Sequence, residues 1–199
     1  MKPIIILCGP SCAGKDTIAA GFNSSFQDFN FLISTTSRPQ RSTESEGNPY
    51  YFVSKEEFEE LIREDGLLEY REYNTLVNNK PDVWYYGVEK TSIDLDRSYI
   101  CVLDPIGIKQ FKKLFKERLL IFYVHTPETE RRQRCKERGD FNKSEWERRL
   151  KDDKIKFSEK FILENCDYFL DGSKSLLVNI TLIKNKIDEK FKQKDAGMS

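Results

Sequence analysis

Pro3-Ile4-Ile5-Ile6-Leu7-Cys8-Gly9-Pro10-Ser11-Cys12-Ala13-Gly14-Lys15-Asp16-Thr17 is the stretch that decides the fold. Its apolar, β-branched first half stops at a glycine, the pattern of a short strand buried on both faces. Residues 15–27 then read as a helix. Between them Gly9, Gly14 and Lys15 keep the spacing G-x-x-x-x-G-K. Strand, glycine loop and helix form the context in which backbone N–H groups wrap a nucleotide's phosphates while the lysine reaches the β- and γ-phosphates. Gly9, Pro10, Ser11, Cys12, Ala13, Gly14, Lys15, Asp16 and Thr17 are therefore the candidate ATP-binding residues, and Lys15 is a candidate catalytic residue as well.

Two positions depart from the usual loop. Asp16 stands where a Ser or Thr normally offers a hydroxyl to magnesium, and Thr17 follows it. Three readings are open: Asp16 gives a carboxylate to the ion, directly or through water; Thr17 takes over phosphate contact; or Asp16 merely caps the helix. Asp16 and Thr17 are the candidate Mg2+ residues. Cys12, near a helix N-terminus, is placed to favour its thiolate.

Outward from the loop, strand and helix signals alternate. Residues 99–103 and 119–124 read as two more buried strands, each followed by a helical pattern. The helix after the second starts at Thr126-Pro127-Glu128, an N-cap followed by proline at N1. Residues 167–170 read as a further short strand. Leu176, Ile180, Ile183, Ile187 and Phe191 recur at helical spacing, so 175–191 reads as an amphipathic closing helix packed on the core. Alternation of this kind implies an α/β fold, a P-loop NTPase-type parallel sheet flanked by helices.

The middle differs. Residues 34–53 are rich in Ser, Thr, Arg, Gly and Pro, and Ser54-Lys55-Glu56-Glu57 is a capping box opening a helix through about Arg63. A single domain, 1–199, is expected, with a core of 1–33, 91–126 and 159–199. Residues 34–90 form an inserted lobe, 127–158 a charged helical lid, and the lysine-rich tail after Lys190 is expected to fray.

Composition narrows the function classes. Among 199 residues, 33 Lys and Arg balance 33 Asp and Glu, which argues against a generally basic nucleic-acid surface. No apolar run approaches the length of a membrane span or an export signal. The 5 cysteines are odd in number and lack metal-like spacing, so they are expected to be reduced thiols in a cytoplasmic protein, monomer or homodimer.

With the loop in place, Ser34-Thr35-Thr36-Ser37-Arg38-Pro39-Gln40-Arg41 and Gly47-Asn48-Pro49-Tyr50-Tyr51-Phe52-Val53-Ser54 become recognisable. They resemble the acceptor-binding lobe of guanylate kinases. The resemblance continues through Leu68-Glu69-Tyr70, Tyr85-Tyr86-Gly87, Leu103-Asp104, Pro127 to Gly139 and Arg148-Arg149-Leu150, covering roughly 3–170. It implies ATP-dependent phosphorylation of a nucleoside monophosphate, GMP or dGMP, with ATP and Mg2+. It further implies that Ser34, Arg38, Arg41, Tyr50, Glu69, Tyr86, Val88 and Asp104 contact the acceptor, Glu69 at guanine's N1 and N2 edge. Arg38, Arg134, Arg138 and Arg149 would neutralise the transferring phosphoryl group. The chemistry agrees. A phosphate dianion suits arginine forks and tyrosine hydroxyls, and phosphoryl transfer asks for positioning and charge neutralisation, with no general base required of the single histidine, His125.

Four segments depart from the family pattern. Val88 follows Tyr-Tyr-Gly where a hydroxyl residue is usual. Leu103-Asp104-Pro105-Ile106-Gly107 is shortened and lacks a second aspartate. Extra residues ending near Pro81-Asp82-Val83 lie between Glu69 and Tyr85, and Asp171-Gly172 lacks the usual asparagine. Several of these features look similar to ribose 1,5-bisphosphate phosphokinases, which makes a sugar-phosphate kinase the enzymatic alternative. A non-catalytic, guanylate-kinase-like protein-binding module is the other.

Overall fold

A computed structural model describes residues 1–41, 44–77, 80–138 and 141–192. In chain order the strands and helices are β1 (Ile4–Cys8), α1 (Lys15–Ser25), β2 (Phe29–Phe31), β3 (Ser34–Thr36), β4 (Ser45–Glu46), β5 (Pro49–Phe52), α2 (Lys55–Arg63), β6 (Leu67–Val77) and β7 (Lys80–Glu89). They continue as β8 (Ser98–Val102), α3 (Pro105–Phe115), β9 (Leu119–His125), α4 (Glu128–Glu137), α5 (Lys143–Lys156), α6 (Glu159–Asn165), β10 (Tyr168–Asp171) and α7 (Leu176–Ile187).

The central sheet has the order β10-β9-β1-β8-β2, with every neighbouring pair parallel. Strand β1 sits in its middle and is buried along its whole length, which is why its five residues are all apolar. Alternation sends Ile4, Ile6 and Cys8 to a core shared with α3 and α6, and Ile5 and Leu7 to one shared with α1 and α7. The helices therefore cover both faces, as expected of a P-loop α/β fold.

Residues 34–89 supply a second, mixed sheet of order β4-β5-β3-β7-β6. Its longest pair is the β6–β7 hairpin, in register from Glu69↔Val88 out to Val77↔Lys80. Residues 74–77 and 80–83, part of the extra segment, simply lengthen this hairpin; 78 and 79 lie outside the described residues. The capping box opening α2 is present in full, Ser54 accepting from the Glu57 N–H and Glu57 reaching back to the Ser54 N–H.

Two local expectations are corrected. Thr126 does not cap α4; Pro127 holds the N-cap position without a side-chain cap, and the Thr126 hydroxyl donates instead to the Ala13 carbonyl, 2.9 Å away. A buried hydroxyl that would otherwise lack an acceptor gains more from a loop carbonyl than from a solvated helix end. The closing helix ends at Ile187 and continues as one π-type turn over Asp188–Lys192. Beyond that turn the tail lies outside the described residues, as does Gly139.

Candidate active site

Between β1 and α1 the chain turns through Gly9 at φ 140° and Gly14 at φ 96°. A Cβ on Gly9 would meet the Val124 carbonyl oxygen at 2.5 Å, so both conformation and space demand glycine. Lys15, the first residue of α1, curls back so that its Nζ donates to the Pro10 carbonyl at 2.8 Å. Burial holds its ammonium below the ordinary lysine range, against the opposing pull of Asp16 and Asp153.

The loop's appetite for anions is visible in what it already holds. The Ser11 N–H donates to Asp153 Oδ2 of α5 at 2.9 Å, and Arg131 of α4 braces the same carboxylate at 3.4 Å while donating to the Ser11 carbonyl. The Arg131 guanidinium lies over the Trp146 ring, 5.5 Å from its centroid. Sequence reasoning missed Asp153 because a carboxylate on a charged helix has the look of a solvated one.

A cavity of about 1070 Å³ runs from this loop to the second sheet. Lys15 and Asp16 line its near end; Arg138, exposed at the end of α4, and Arg149 of α5 also line it. Arg134 is elsewhere: its guanidinium donates to the Ala13 and Gly172 carbonyls and faces a smaller cavity of about 300 Å³. Thr17 also opens onto that smaller cavity, so the two candidate magnesium residues lie on different cavities.

On the second sheet Arg38 is buried between the Tyr50 and Phe52 rings, 5.6 Å from each centroid. Its Nη2 forks onto Glu44 at 2.8 and 2.9 Å, and the Arg41 backbone N–H donates to the same carboxylate. Glu44, which the sequence did not single out, thus gathers both arginines in one place. Tyr50 and Tyr86 meet edge to face at 5.6 Å on the cavity wall. Burial raises the Tyr50 hydroxyl well above the ordinary tyrosine range, keeping it a neutral donor.

The far end departs most from expectation. Ser34 and Val88 are buried in the protein interior and neither lines the cavity. Glu69 is 2 % exposed and lies behind Arg71, the residue that does line it. Asp104 ties this end together. Its Oδ1 caps α3 by accepting from Ile106 and Gly107, and its Oδ2 pairs with Arg71 Nε at 2.8 Å. Arg71 Nη1 is 3.6 Å from Glu69 Oε1 and its guanidinium lies 5.2 Å from the Tyr86 centroid. Only the two-residue offset from Glu69, which puts both on one face if the segment is a strand, could have pointed to Arg71.

Burial pushes the Glu69 carboxyl up to about 7, with Arg71 opposing and Asp104 adding to the shift. Between the ordinary value of 4.5 and about 7 only the folded state holds this proton. The stability it contributes is therefore complete at low pH and lost as pH rises through 7, on the order of 3 kcal/mol. Urea midpoints of the parent protein should fall between pH 5 and 8, and Glu69→Gln should flatten that fall; an unchanged slope would refute the assignment.

The β6–β7 hairpin and α5 touch. The Tyr73 hydroxyl meets Arg148 Nη2, and the Arg148 guanidinium sits 4.7 Å from the Tyr73 ring centroid. Glu145 takes hydrogen bonds from Arg148 at 2.8 Å and Arg149 at 2.7 Å. Burial works against its charge, but these bonds outweigh it and hold the carboxyl at about 2.

The expectation of five reduced thiols is corrected at one pair. Cys12 of the loop is bonded to Cys135 of α4, leaving Cys8, Cys101 and Cys166 free. The fold brings the two Cα atoms to 6.0 Å, within bridging range, across 123 residues of sequence, a proximity no spacing rule reveals. Cys12 therefore carries no thiolate here. Alkylation after denaturation without reductant should modify three thiols, and after reduction all five. Five modified without reduction would rule the bridge out.

The guanylate kinase family model matches residues 1–175. The chain belongs to the guanylate kinase family. It is 33% identical to the guanylate kinase of Latilactobacillus sakei over 172 residues, 83% of this chain and 78% of that one. With the guanylate kinase of Clostridioides difficile identity is 28%, across 96% of both. The crystal structure of guanylate kinase from Anaplasma phagocytophilum shares the fold at a TM-score of 0.67 and 24% identity, over 96% of this chain and 87% of that one. As a member of the family the protein is a kinase, a transferase of phosphoryl groups. No helix among the described residues is long and apolar enough to cross a membrane.

Proposed function

We propose that the protein transfers the γ-phosphoryl group of ATP to GMP or dGMP, forming ADP and the nucleoside diphosphate. One observation carries this reading: a single cavity joins Lys15 at the phosphate loop to Arg38, Tyr50, Tyr86 and Arg71 on the second sheet. Donor and acceptor would enter it from opposite ends and meet phosphate to phosphate.

An oxygen of the GMP phosphate attacks the γ-phosphorus, the bond from that phosphorus to the bridging oxygen breaks, and ADP leaves. The attacking oxygen is already anionic, so no residue need remove a proton. Lys15 and the Gly9–Gly14 loop hold the β- and γ-phosphates, with Asp153 yielding the Ser11 N–H to them. Arg138 and Arg149 neutralise charge spreading over the equatorial oxygens, and Arg134 fixes α4 against the loop. Arg38 and Arg41 turn from Glu44 to the acceptor phosphate, joined by the Tyr50 and Tyr86 hydroxyls. The base lies against Glu69, Arg71 and Asp104.

Magnesium would be held by Asp16, whose single carboxylate beside the loop suits an ion that takes most of its ligands from phosphates and water. When bound it supplies charge neutralisation at the β- and γ-phosphates. Thr17, on the other cavity, is the weaker fit. The lobe of residues 34–90 and the lid of 127–158 close over the substrates and exclude water. A sugar bisphosphate would leave the buried carboxylates and guanidinium at the far end without a counterpart, and a binding module would have no use for an intact loop.

ADP release from ATP and magnesium in the presence of GMP, dGMP, AMP, UMP, CMP or ribose 1,5-bisphosphate tests the reading. GMP and dGMP should be the best acceptors. Turnover with the sugar bisphosphate alone, or with nothing, would overturn it.

A further inference from the structure

At the far end of the cavity, in Arg71 on its wall and in Glu69 directly behind it, lie buried polar atoms that make no hydrogen bond within the protein. Glu69 Oε1 and Oε2 and Arg71 Nη1 have no hydrogen-bond partner among the described residues. Arg71 Nη1 and Glu69 Oε1 face each other as an ion pair at 3.6 Å, too long for a hydrogen bond. Buried polar atoms almost always form hydrogen bonds, and three that do not, side by side, point to a ligand. That ligand must accept a hydrogen bond from Arg71 and, beside that acceptor, offer donors.

Arg71 is unusually well fixed for a long side chain. Its Nε is paired with Asp104, and Asp104 is immobilised by capping α3 through its other oxygen. The Tyr86 ring flanks its guanidinium. Gly107 at the start of α3 comes so near that a Cβ would lie 2.9 Å from Glu69 Oε2, which walls the carboxylate in from behind. On β6, Arg71 lies two residues beyond Glu69, on the same face and one step nearer the cavity. The hydroxyl that the sequence lacks at position 88 could not serve here in any case. Val88 pairs with Glu69 across the hairpin and belongs to the hydrophobic core.

Guanine presents an acceptor, O6, directly beside donors, N1–H and the 2-amino group. Adenine presents an amino donor at position 6 and no hydrogen on N1, so it would set a donor against the guanidinium. We propose that Arg71 is the specificity-determining residue of this protein, donating a hydrogen bond to guanine O6 while Glu69 beside it takes the N1 and N2 hydrogens. The inference rests on GMP being the acceptor and names the atom by which it is told from AMP.

The test varies one atom of the substrate. 6-Thio-GMP replaces O6 by sulfur, a weaker acceptor, and leaves N1–H and the amino group in place. With the parent protein its kcat/KM should fall about tenfold below that of GMP, part of the 10- to 150-fold that complete loss of a hydrogen bond from a charged donor would cost. In Arg71→Met both acceptors should be poor and their ratio should approach one. Arg71→Lys, which keeps the charge facing Glu69 and Asp104 but loses the fork, should also narrow the ratio and guards against a Met variant that does not fold. Equal use of GMP and 6-thio-GMP by the parent protein, or a ratio unchanged in either variant, would overturn the role of Arg71 while leaving GMP phosphorylation standing. Failure to use GMP at all would overturn the function on which the inference rests.

Discussion

Lys15→Ala is expected to lower turnover several hundredfold or more while leaving the melting temperature equal to or above that of the parent. The ammonium is held by the Pro10 carbonyl at the mouth of the loop, on the wall of the cavity where the phosphates would meet. A preorganised cation at the site of developing charge contributes on the order of hundredfold to thousandfold in rate. The same burial that readies it also costs stability, since desolvation already works against its charge in the folded state. Removing it relieves that cost. Steady-state ADP release and thermal melts on one sample separate the two effects. A variant that keeps near-parental turnover would refute the phosphate-loop role, and one that loses turnover only because it unfolds would refute the stability argument.

Arg38→Met should be damaging on both counts. Arg38 and Glu44 form a buried pair, with side chains 4% and 9% exposed. Deleting one partner of such a pair strands the other charge and costs about 3–5 kcal/mol. Arg41, at 3.8 Å from Glu44, compensates only in part. If Arg38 is also a ligand of the acceptor phosphate, kcat/KM for GMP should fall by about tenfold or more. The double variant Arg38→Met, Glu44→Gln separates the roles: it removes the stranded charge, so the urea midpoint should recover while the kinetic defect stays. Recovery of both would reduce Arg38 to a structural residue.

Arg71 shows where sequence reasoning ended. The strand carrying it was not resolved from the surrounding charged residues, because Leu67–Val77 mixes Glu, Arg, Asn and Thr with few apolar residues and gives no clean alternation. Its role depends on a carboxylate 33 positions downstream that caps another helix. Thr126 illustrates the opposite failure. Local rules assign its hydroxyl to the helix it precedes, but folding places a loop carbonyl beside it, and the buried partner wins.

Four of the five central strands, the helices α1, α3 and α7 and the phosphate loop followed from residue order alone; the edge strand β2 and the short helix α6 did not. Each rests on contacts that are local or strictly periodic: β-branched runs, helical spacing, a capping box, two glycines and a lysine at fixed separation. Only the tertiary structure decided that Cys12 meets Cys135, that Asp153 occupies the Ser11 N–H, that Glu44 gathers Arg38 and Arg41, and that Arg71 stands before Glu69. Two of these pairs, Cys12 with Cys135 and Ser11 with Asp153, join segments far apart in the chain, and the others lie in a loop and a strand whose local course depends on tertiary packing. Charge and thiol type say what a residue can bind but not what it will meet. Their partners are chosen by how the sheets and lid pack, and burial then turns ordinary surface charges into the fixed groups of a site.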